Sequence, residues 1–159
     1  MDEILEILEK NSKYTSEEIA VMTGKSVEEV KEAIKKYEND NVIVGYTALI
    51  NWENTSKDSV VALIEVRVTP QRGEGFDKVA ERIYRFPEVK ACYLMSGGFD
   101  LTVIVEGKTL KEVSLFVAEK LAVQECVVST ATHFVLKKYK DNGTIFEEKP
   151  RDDREDIFV

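Results

Sequence analysis

Apolar positions recur at two different periods along this chain. In residues 2–10, Ile4, Leu5, Ile7 and Leu8 fall at helical spacing, with acids on the other face. Thr15-Ser16-Glu17-Glu18 has the form of a capping box, in which hydroxyl and glutamate satisfy free backbone N–H groups at a helix start. A short helix carrying Ile19, Ala20 and Met22 follows, and Gly24 ends it. Ser26-Val27-Glu28-Glu29 repeats the box. Its helix runs to about Asn39 with Val27, Val30, Ile34 and Tyr37 inward. Two short helices joined by a glycine turn, after a first helix, predict a helix-turn-helix. Residues 39–41 then turn the chain into 42–50, which reads as extended, and the polar residues 53–59 read as a linker.

From residue 60 the period shifts toward strands. Residues 60–69 are rich in β-branched side chains, and Pro70 stops them. Phe76, Val79, Ile83 and Phe86 mark a helix ended by Pro87. Residues 89–96 and 101–106 are strand-like, separated by the turn Ser96-Gly97-Gly98-Phe99-Asp100. Thr109-Leu110-Lys111-Glu112 is a third capping box, opening a helix with Val113, Phe116, Val117 and Leu121 inward. Residues 127–139 form the last predicted strand. The order β-α-β-β-α-β predicts an α+β chain: a helix-turn-helix (winged-helix-like) head at 1–50, a linker at 51–59, and a ferredoxin-like sandwich at 60–140. The charged tail, 141–159, reads as an arm or an added strand. In the first strand Val60, Ala62, Ile64, Val66 and Val68 can face the helices, while Val61 and Leu63 point away. Two helices cover one sheet face, so the other predicts a second copy of the chain.

Charge changes this picture more than size does. At 159 residues and 43% hydrophobic, the chain can form one ordinary domain or two small ones. The net charge is −8, which works against nonspecific attraction to polyanions. Cys92 and Cys126 form no CxxC pair and read as buried free thiols of a reducing compartment. No apolar run approaches the ~20 residues of a membrane span, and no signal peptide is seen, so a cytoplasmic location is expected.

The head, the Val44-Gly45-Tyr46 segment, the split βαβ pattern, the Gly97–Leu101 turn and residues 129–136 together resemble the Lrp/AsnC family of transcription regulators. The resemblance covers nearly the whole chain. It implies a head that binds double-stranded operator DNA. It also implies a second domain that forms homodimers, assembles into octamers or similar rings, and binds an amino acid effector between dimers. By resemblance the effector site involves Ser96, Gly97, Gly98 and Asp100, with Thr130 and Thr132 nearby. A glycine turn can offer backbone N–H groups to a carboxylate, and Asp100 can pair with an ammonium. The same turn has an architectural reading, since hairpins need one and Asp commonly bonds its own turn backbone.

The DNA-contacting candidates are Lys25, Ser26, Glu28, Glu29, Lys31, Glu32, Lys35 and Lys36, around the third helix. Here the chain departs from the family pattern of hydroxyl and basic residues. Residues 1–50 hold six lysines against eleven acids, a net of −5, and no arginine precedes Arg67. Carboxylates repel phosphate and accept only from cytosine or adenine amino groups. The four lysines, the helix dipole and oligomer avidity would hold DNA weakly and with strong salt dependence. On the solvated face, Glu32–Lys36 is the attractive i,i+4 pair. The rival reading is an amino acid-binding oligomer whose head has lost DNA binding and contacts protein. A small enzyme ranks last: there is no P-loop, dinucleotide fingerprint or nucleophile elbow, and nothing marks a Cys92–His133 pair as activated. His133 is the sole histidine, so no metal site and no cofactor are expected; it reads as a strand residue near an interface. Trp52 reads as a packing anchor between domains.

Overall fold

A computed structural model describes residues 3–69 and 75–146. Pro70 and the end of the tail, with Ile157, Phe158 and Val159, lie outside the described residues. The chain divides into two compact units, Met1–Ile50 and Asn51–Val159.

The first unit is three helices, α1 (Glu3–Lys10), α2 (Ser16–Thr23) and α3 (Val27–Asn39). Both capping boxes close. Thr15 Oγ1 accepts the Glu18 N–H at 3.2 Å while the Glu18 carboxylate accepts the Thr15 N–H at 2.8 Å. Ser26 and Glu29 repeat this at 3.2 and 2.8 Å. Between them Gly24 ends α2 at φ 67°, a left-handed conformation that any side chain would strain. Ile4, Leu8, Ile19, Ala20 and Val30 form the core, flanked by Ile7, Val27, Ala33, Ile34, Tyr37 and Ile43. Met22 is exposed beside Val21, and Ile19 and Ala20 form the buried side of α2. After α3 the N–H groups of Val42 and Ile43 both donate to Tyr37 O, and the Tyr46 hydroxyl donates to Glu38 at 3.0 Å. Among the described residues, 42–50 pairs with no strand, which leaves Val44 89% exposed.

The second unit starts earlier than the sequence suggests. Asn51 caps a single 3-10 turn, Trp52–Asn54. The Lys57 ammonium lies 3.9 Å from the centre of the Trp52 ring and 3.1 Å from Glu106 Oε1, to which Ser59 Oγ also donates. Residues 51–59, expected as a linker, are therefore stitched to the sheet by the bonds of Lys57 and Ser59 to Glu106, with Trp52 held against the same Lys57 by a cation–π contact. Trp52 serves as an anchor within its own unit.

The sheet has strand order β2-β3-β1-β4, all antiparallel, from β1 (Val60–Val68), β2 (Val89–Leu94), β3 (Leu101–Gly107) and β4 (Val127–Phe134). Helix α4 (Gly75–Tyr84) stops short of Phe86, since the residue before Pro87 disfavours helical geometry. Phe86 instead meets Phe116 edge to face at 5.5 Å. Helix α5 (Leu110–Phe116) continues through one π turn, Val117–Leu121. Its third capping box closes only in part: Thr109 accepts from Glu112, but the Glu112 carboxylate reaches back to the Lys108 N–H. Ala62, Ile64, Val66, Leu101, Val103 and Val105 meet Val79, Ile83, Val113, Phe116 and Leu121 in the core. Val61, Leu63, Glu65 and Arg67 alternate to the face away from both helices.

Strand β4 is shorter than expected. It lies at the sheet edge, and its partner β1 begins at Val60, so bonding stops once the Val135 N–H has reached Val61 O. Leu136 is then 95% exposed. Beyond the expected boundary at 140, β5 (Lys140–Asp141) pairs with β6 (Thr144–Ile145). Asn142 and Gly143, both at positive φ, make the turn that an Asn-Gly pair favours in two-residue hairpins.

Candidate DNA interface and effector site

All eight residues expected to face DNA are exposed, but they are not equally available. Ser26 and Glu29 are spent on the cap of α3. The Ser26 backbone N–H, with its hydroxyl, holds the Glu29 carboxyl below the usual range. Lys31 pairs with Glu17 of α2 at 3.5 Å, across the helix-turn-helix. First-turn backbone hydrogen bonding and then Lys31 lower the Glu17 pKa against the opposing pull of desolvation. The expected Glu32–Lys36 pair does not form, and among the described residues the side chains of Lys25, Glu28, Glu32, Lys35 and Lys36 make no hydrogen bond or ion pair. The solvent face of α3 is thus a mixed surface on which both signs are open to a partner.

The second site centres on the turn between β2 and β3. Ser96, Gly97 and Gly98 form its exposed tip, and Gly97 has φ 143°, where other residues are strained. The base of the turn is closed by the Met95 N–H donating to Asp100 O at 2.8 Å. The Asp100 N–H then donates to Val66 O at 3.1 Å. The Asp100 carboxylate turns the same way: Oδ2 accepts the Val68 N–H at 2.8 Å. Val68 lies two residues past Val66, the last residue of β1 paired with β3. Its N–H, on the β3 side of the strand, has no partner in the ladder, and Asp100 supplies the missing acceptor. The architectural reading of the aspartate therefore holds in altered form: it bonds a strand, not its own turn.

Thr130 pairs with Val66 and Thr132 with Ile64, so both share the helix-side face of β1. Asp100 and Thr130 thus flank the same stretch of β1 from its two sides, about 10 Å apart at two strand spacings. Thr132 lies one pleat further from the turn. The backbone of Val66 and Val68 was invisible as part of this site in the sequence, because the Asp100–Val68 bond spans 32 positions.

His133 and Cys92 do not meet. Cys92 pairs with Val103 on the helix-side face of β2, and burial raises its thiol pKa. His133 pairs with Leu63 on the opposite face at the other edge, with Nε2 3.3 Å from Glu65 Oε1. Cys126 is buried and free. Among the described residues no cluster of His, Cys, Asp and Glu could hold a metal ion, and no helix is long and apolar enough to cross a membrane.

Comparison with known proteins matches residues 3–44 to a winged helix-turn-helix DNA-binding domain and residues 61–145 to the Lrp/AsnC ligand binding domain. An uncharacterized HTH-type transcriptional regulator of Bacillus subtilis, YugG, is 52% identical over 96% of this chain and 92% of its own. The HTH-type transcriptional regulator FL11 of Pyrococcus furiosus is 30% identical over 87% of this chain and 88% of its own. In structure, a Neisseria meningitidis transcriptional regulator solved as an L-Met complex superposes with a TM-score of 0.72 at 24% identity, covering 87% of this chain and 89% of its own. Escherichia coli AsnC gives 0.65 at 20% identity over 85% and 89%. These relatives are regulators, not enzymes. Two matched domains in the expected order, and a relative at 52% identity over nearly the full length, place this chain in the Lrp/AsnC family of DNA-binding transcription regulators.

Proposed function

We propose that this regulator responds to a small amino acid-like effector held at the 95–100 turn, and that effector occupancy changes its assembly or its DNA binding. The observation that carries the reading is the convergence at β1. Val66 takes the Asp100 N–H on one side and pairs with Thr130 on the other. One strand thus connects a turn rich in exposed backbone to the threonines of the edge strand. Ser96, Gly97 and Gly98 supply N–H groups and a hydroxyl for a carboxylate, and Thr130 and Thr132 supply further hydroxyls. Asp100 completes the set. The Neisseria regulator solved with L-Met supports an amino acid as the effector class.

The chain forms a homodimer through the sheet face that neither helix of the unit covers, where Val61, Leu63 and Ile104 are only half-buried. Dimers assemble further, with an octamer as the family precedent. On DNA, Lys25, Lys31, Lys35 and Lys36 neutralise phosphates, and Glu28 and Glu32 lie over base edges where a carboxylate finds an amino group. Ser26 and Glu29 act by fixing the start of α3.

The test combines two measurements on the full chain. Binding to genomic fragments is followed at low salt, with and without each standard L-amino acid, and particle mass is measured under the same conditions. Fragment-selective binding whose strength or stoichiometry shifts with one amino acid supports the reading. Selective binding indifferent to every amino acid removes the effector. A chain that stays monomeric at micromolar concentration removes the assembly.

A further inference from the structure

We infer that Asp100 is a positioning residue of the effector site, acting as a strut that fixes the 95–100 turn against the end of β1 rather than as the counter-charge for an effector ammonium. The inference rests on the proposal that the turn holds an amino acid, and it changes what the one acid in that turn is for.

Three hydrogen bonds converge on Asp100. Its O accepts from Met95, its N–H donates to Val66, and its carboxylate accepts from Val68. Backbone and side chain are engaged together, so the residue has little freedom to turn toward a ligand. Its exposure agrees: the tip, Ser96 to Gly98, is open to solvent, while Phe99 and Asp100 are half-buried. The partner is also specific. Val68 lies two residues beyond Val66, the last residue of β1 that pairs with β3, so its N–H, on the β3 side, would otherwise face the end of that ladder. The next residue, Thr69, points its N–H the other way, to Cys126 O on the β4 side, while Val68 turns to Asp100.

This arrangement gives the turn a rigid base at the point where the β1–β3 ladder ends. Glycines at 97 and 98 make the tip adaptable, and a tip that binds through backbone N–H groups needs a fixed base to hold them converged. The strut supplies that base. It also ties the turn to β1, the strand with which Thr130 pairs through Val66, so both sides of the site are held by one strand.

Only an acceptor is needed for the strut, whereas a counter-ion needs charge. Asp100→Asn keeps a carbonyl oxygen for the Val68 N–H and removes the charge. Asp100→Ala removes both. Calorimetry with the amino acids that bind the wild-type chain, L-methionine tested first, is paired with amide exchange in the effector-free protein. The expected result is that Asp100→Asn binds within about threefold of wild type and Asp100→Ala loses about tenfold or more, with rescue by the amide setting the two apart. Exchange at the Val68 amide should rise in Asp100→Ala and stay low in Asp100→Asn, while core amides such as Val113 keep their protection in both. If Asp100→Asn loses binding as fully as Asp100→Ala, the ammonium reading wins and the strut is overturned as the residue's role. If the Val68 amide is equally protected in Asp100→Ala, the strut itself is overturned. If no amino acid binds the wild-type chain, the effector reading fails and takes the site role with it, and the Val68 result then reports on the fold alone.

Discussion

The two units hold their polar chemistry at different ranges. In the head, the capping bonds at the starts of α2 and α3 close over three positions, Thr15 with Glu18 and Ser26 with Glu29. In the second unit the decisive bonds span the chain: Lys57 and Ser59 to Glu106, Lys120 to Glu88, Asp100 to Val68. Their cores differ in the same sense. The head buries Ile4, Leu8, Ile19, Ala20 and Val30 among three helices, while the sheet buries a longer continuous cluster from both helices and all but the edges of its strands. A reading head built from local bonds can form its helix starts without its partner unit. A sensing sheet built from distant bonds exists only when the whole unit is assembled. The difference suits a regulator in which one part presents a fixed helix and the other responds.

The strongest test of that contrast deletes the same atoms in each unit. Ile19 and Ile64 are both fully buried. Each Ile→Ala change should cost about 2–5 kcal/mol, through lost transfer energy and the cavity left behind. The effects should appear in different places. Ile64→Ala should lower the melting of the sheet and leave α3 amides protected, and Ile19→Ala should do the reverse. Hydrogen exchange resolves the two, and a uniform loss of protection in either variant would break the comparison.

A smaller effect sharpens it from the head's side. Ser26→Ala removes the hydroxyl that accepts the Glu29 N–H and should cost about 1 kcal/mol of head stability. Thr109→Ala makes the matching change in α5, where Glu112 reaches Lys108 and not the cap residue. Thermal denaturation followed by circular dichroism should show the larger loss for Ser26→Ala, because there hydroxyl and carboxylate act as a reciprocal pair.

The same range of bonding explains what could be read in advance. The capping boxes, the Gly24 turn, the inward sets of α3 and α5 and the alternation of β1 all follow from neighbours within a few positions, and each was legible. The Asn142-Gly143 hairpin carries an equally local signal, but it lies inside a charged segment whose composition reads as an arm or an added strand. The stitching of 51–59 and the Asp100 strut had no local signal. Nothing near Lys57 points to Glu106, and nothing near Asp100 points to an amide at the far end of β1. Of the candidate site, the residue types were visible and their division of labour was not: Ser26, Glu29 and Lys31 turned out to be engaged within the head.

That division predicts a modest effect on DNA. Glu28 and Glu32 have no partner among the described residues, so Glu28→Gln and Glu32→Gln remove repulsion without disturbing the cap. Each should strengthen nonspecific DNA binding by about two- to fivefold at low salt, an effect of under about 1 kcal/mol. The slope of affinity against salt should not change, because no phosphate contact is gained or lost. Lys35→Gln should instead weaken binding and reduce the slope by about one. Titration of a labelled duplex over a salt series separates the two. An unchanged slope in Lys35→Gln would remove that lysine from the phosphate contacts.

The smallest effect concerns pH and falls on the sheet. Glu88 Oε1 lies 2.6 Å from the Lys120 ammonium, whose Nζ also lies 5.8 Å from the centres of the Phe86 and Phe116 rings. The hydrogen bond from Lys120 lowers the Glu88 pKa despite an opposing desolvation. A carboxyl whose folded pKa is depressed contributes stability above its unfolded pKa and loses it as pH falls through the folded value. Glu106 behaves alike: burial pushes it up, but Lys57 and Ser59 together bring it below the ordinary value. The second unit should therefore lose stability as pH drops below about 4.5, the reference value for glutamate. Both lysines are nearly half exposed, so solvent screening holds the contribution of each pair to a fraction of about 1 kcal/mol. Lys120→Met should flatten that acid-side slope in urea denaturation followed between pH 6 and pH 3, because an unpaired Glu88 titrates nearer its unfolded value. In the head, Glu17 and Glu29 are also depressed, but by bonds at exposed helix starts. Lys120→Met should leave the head's own acid response untouched. A slope that persists unchanged in the variant would show that Lys120 does not set the ionisation of Glu88.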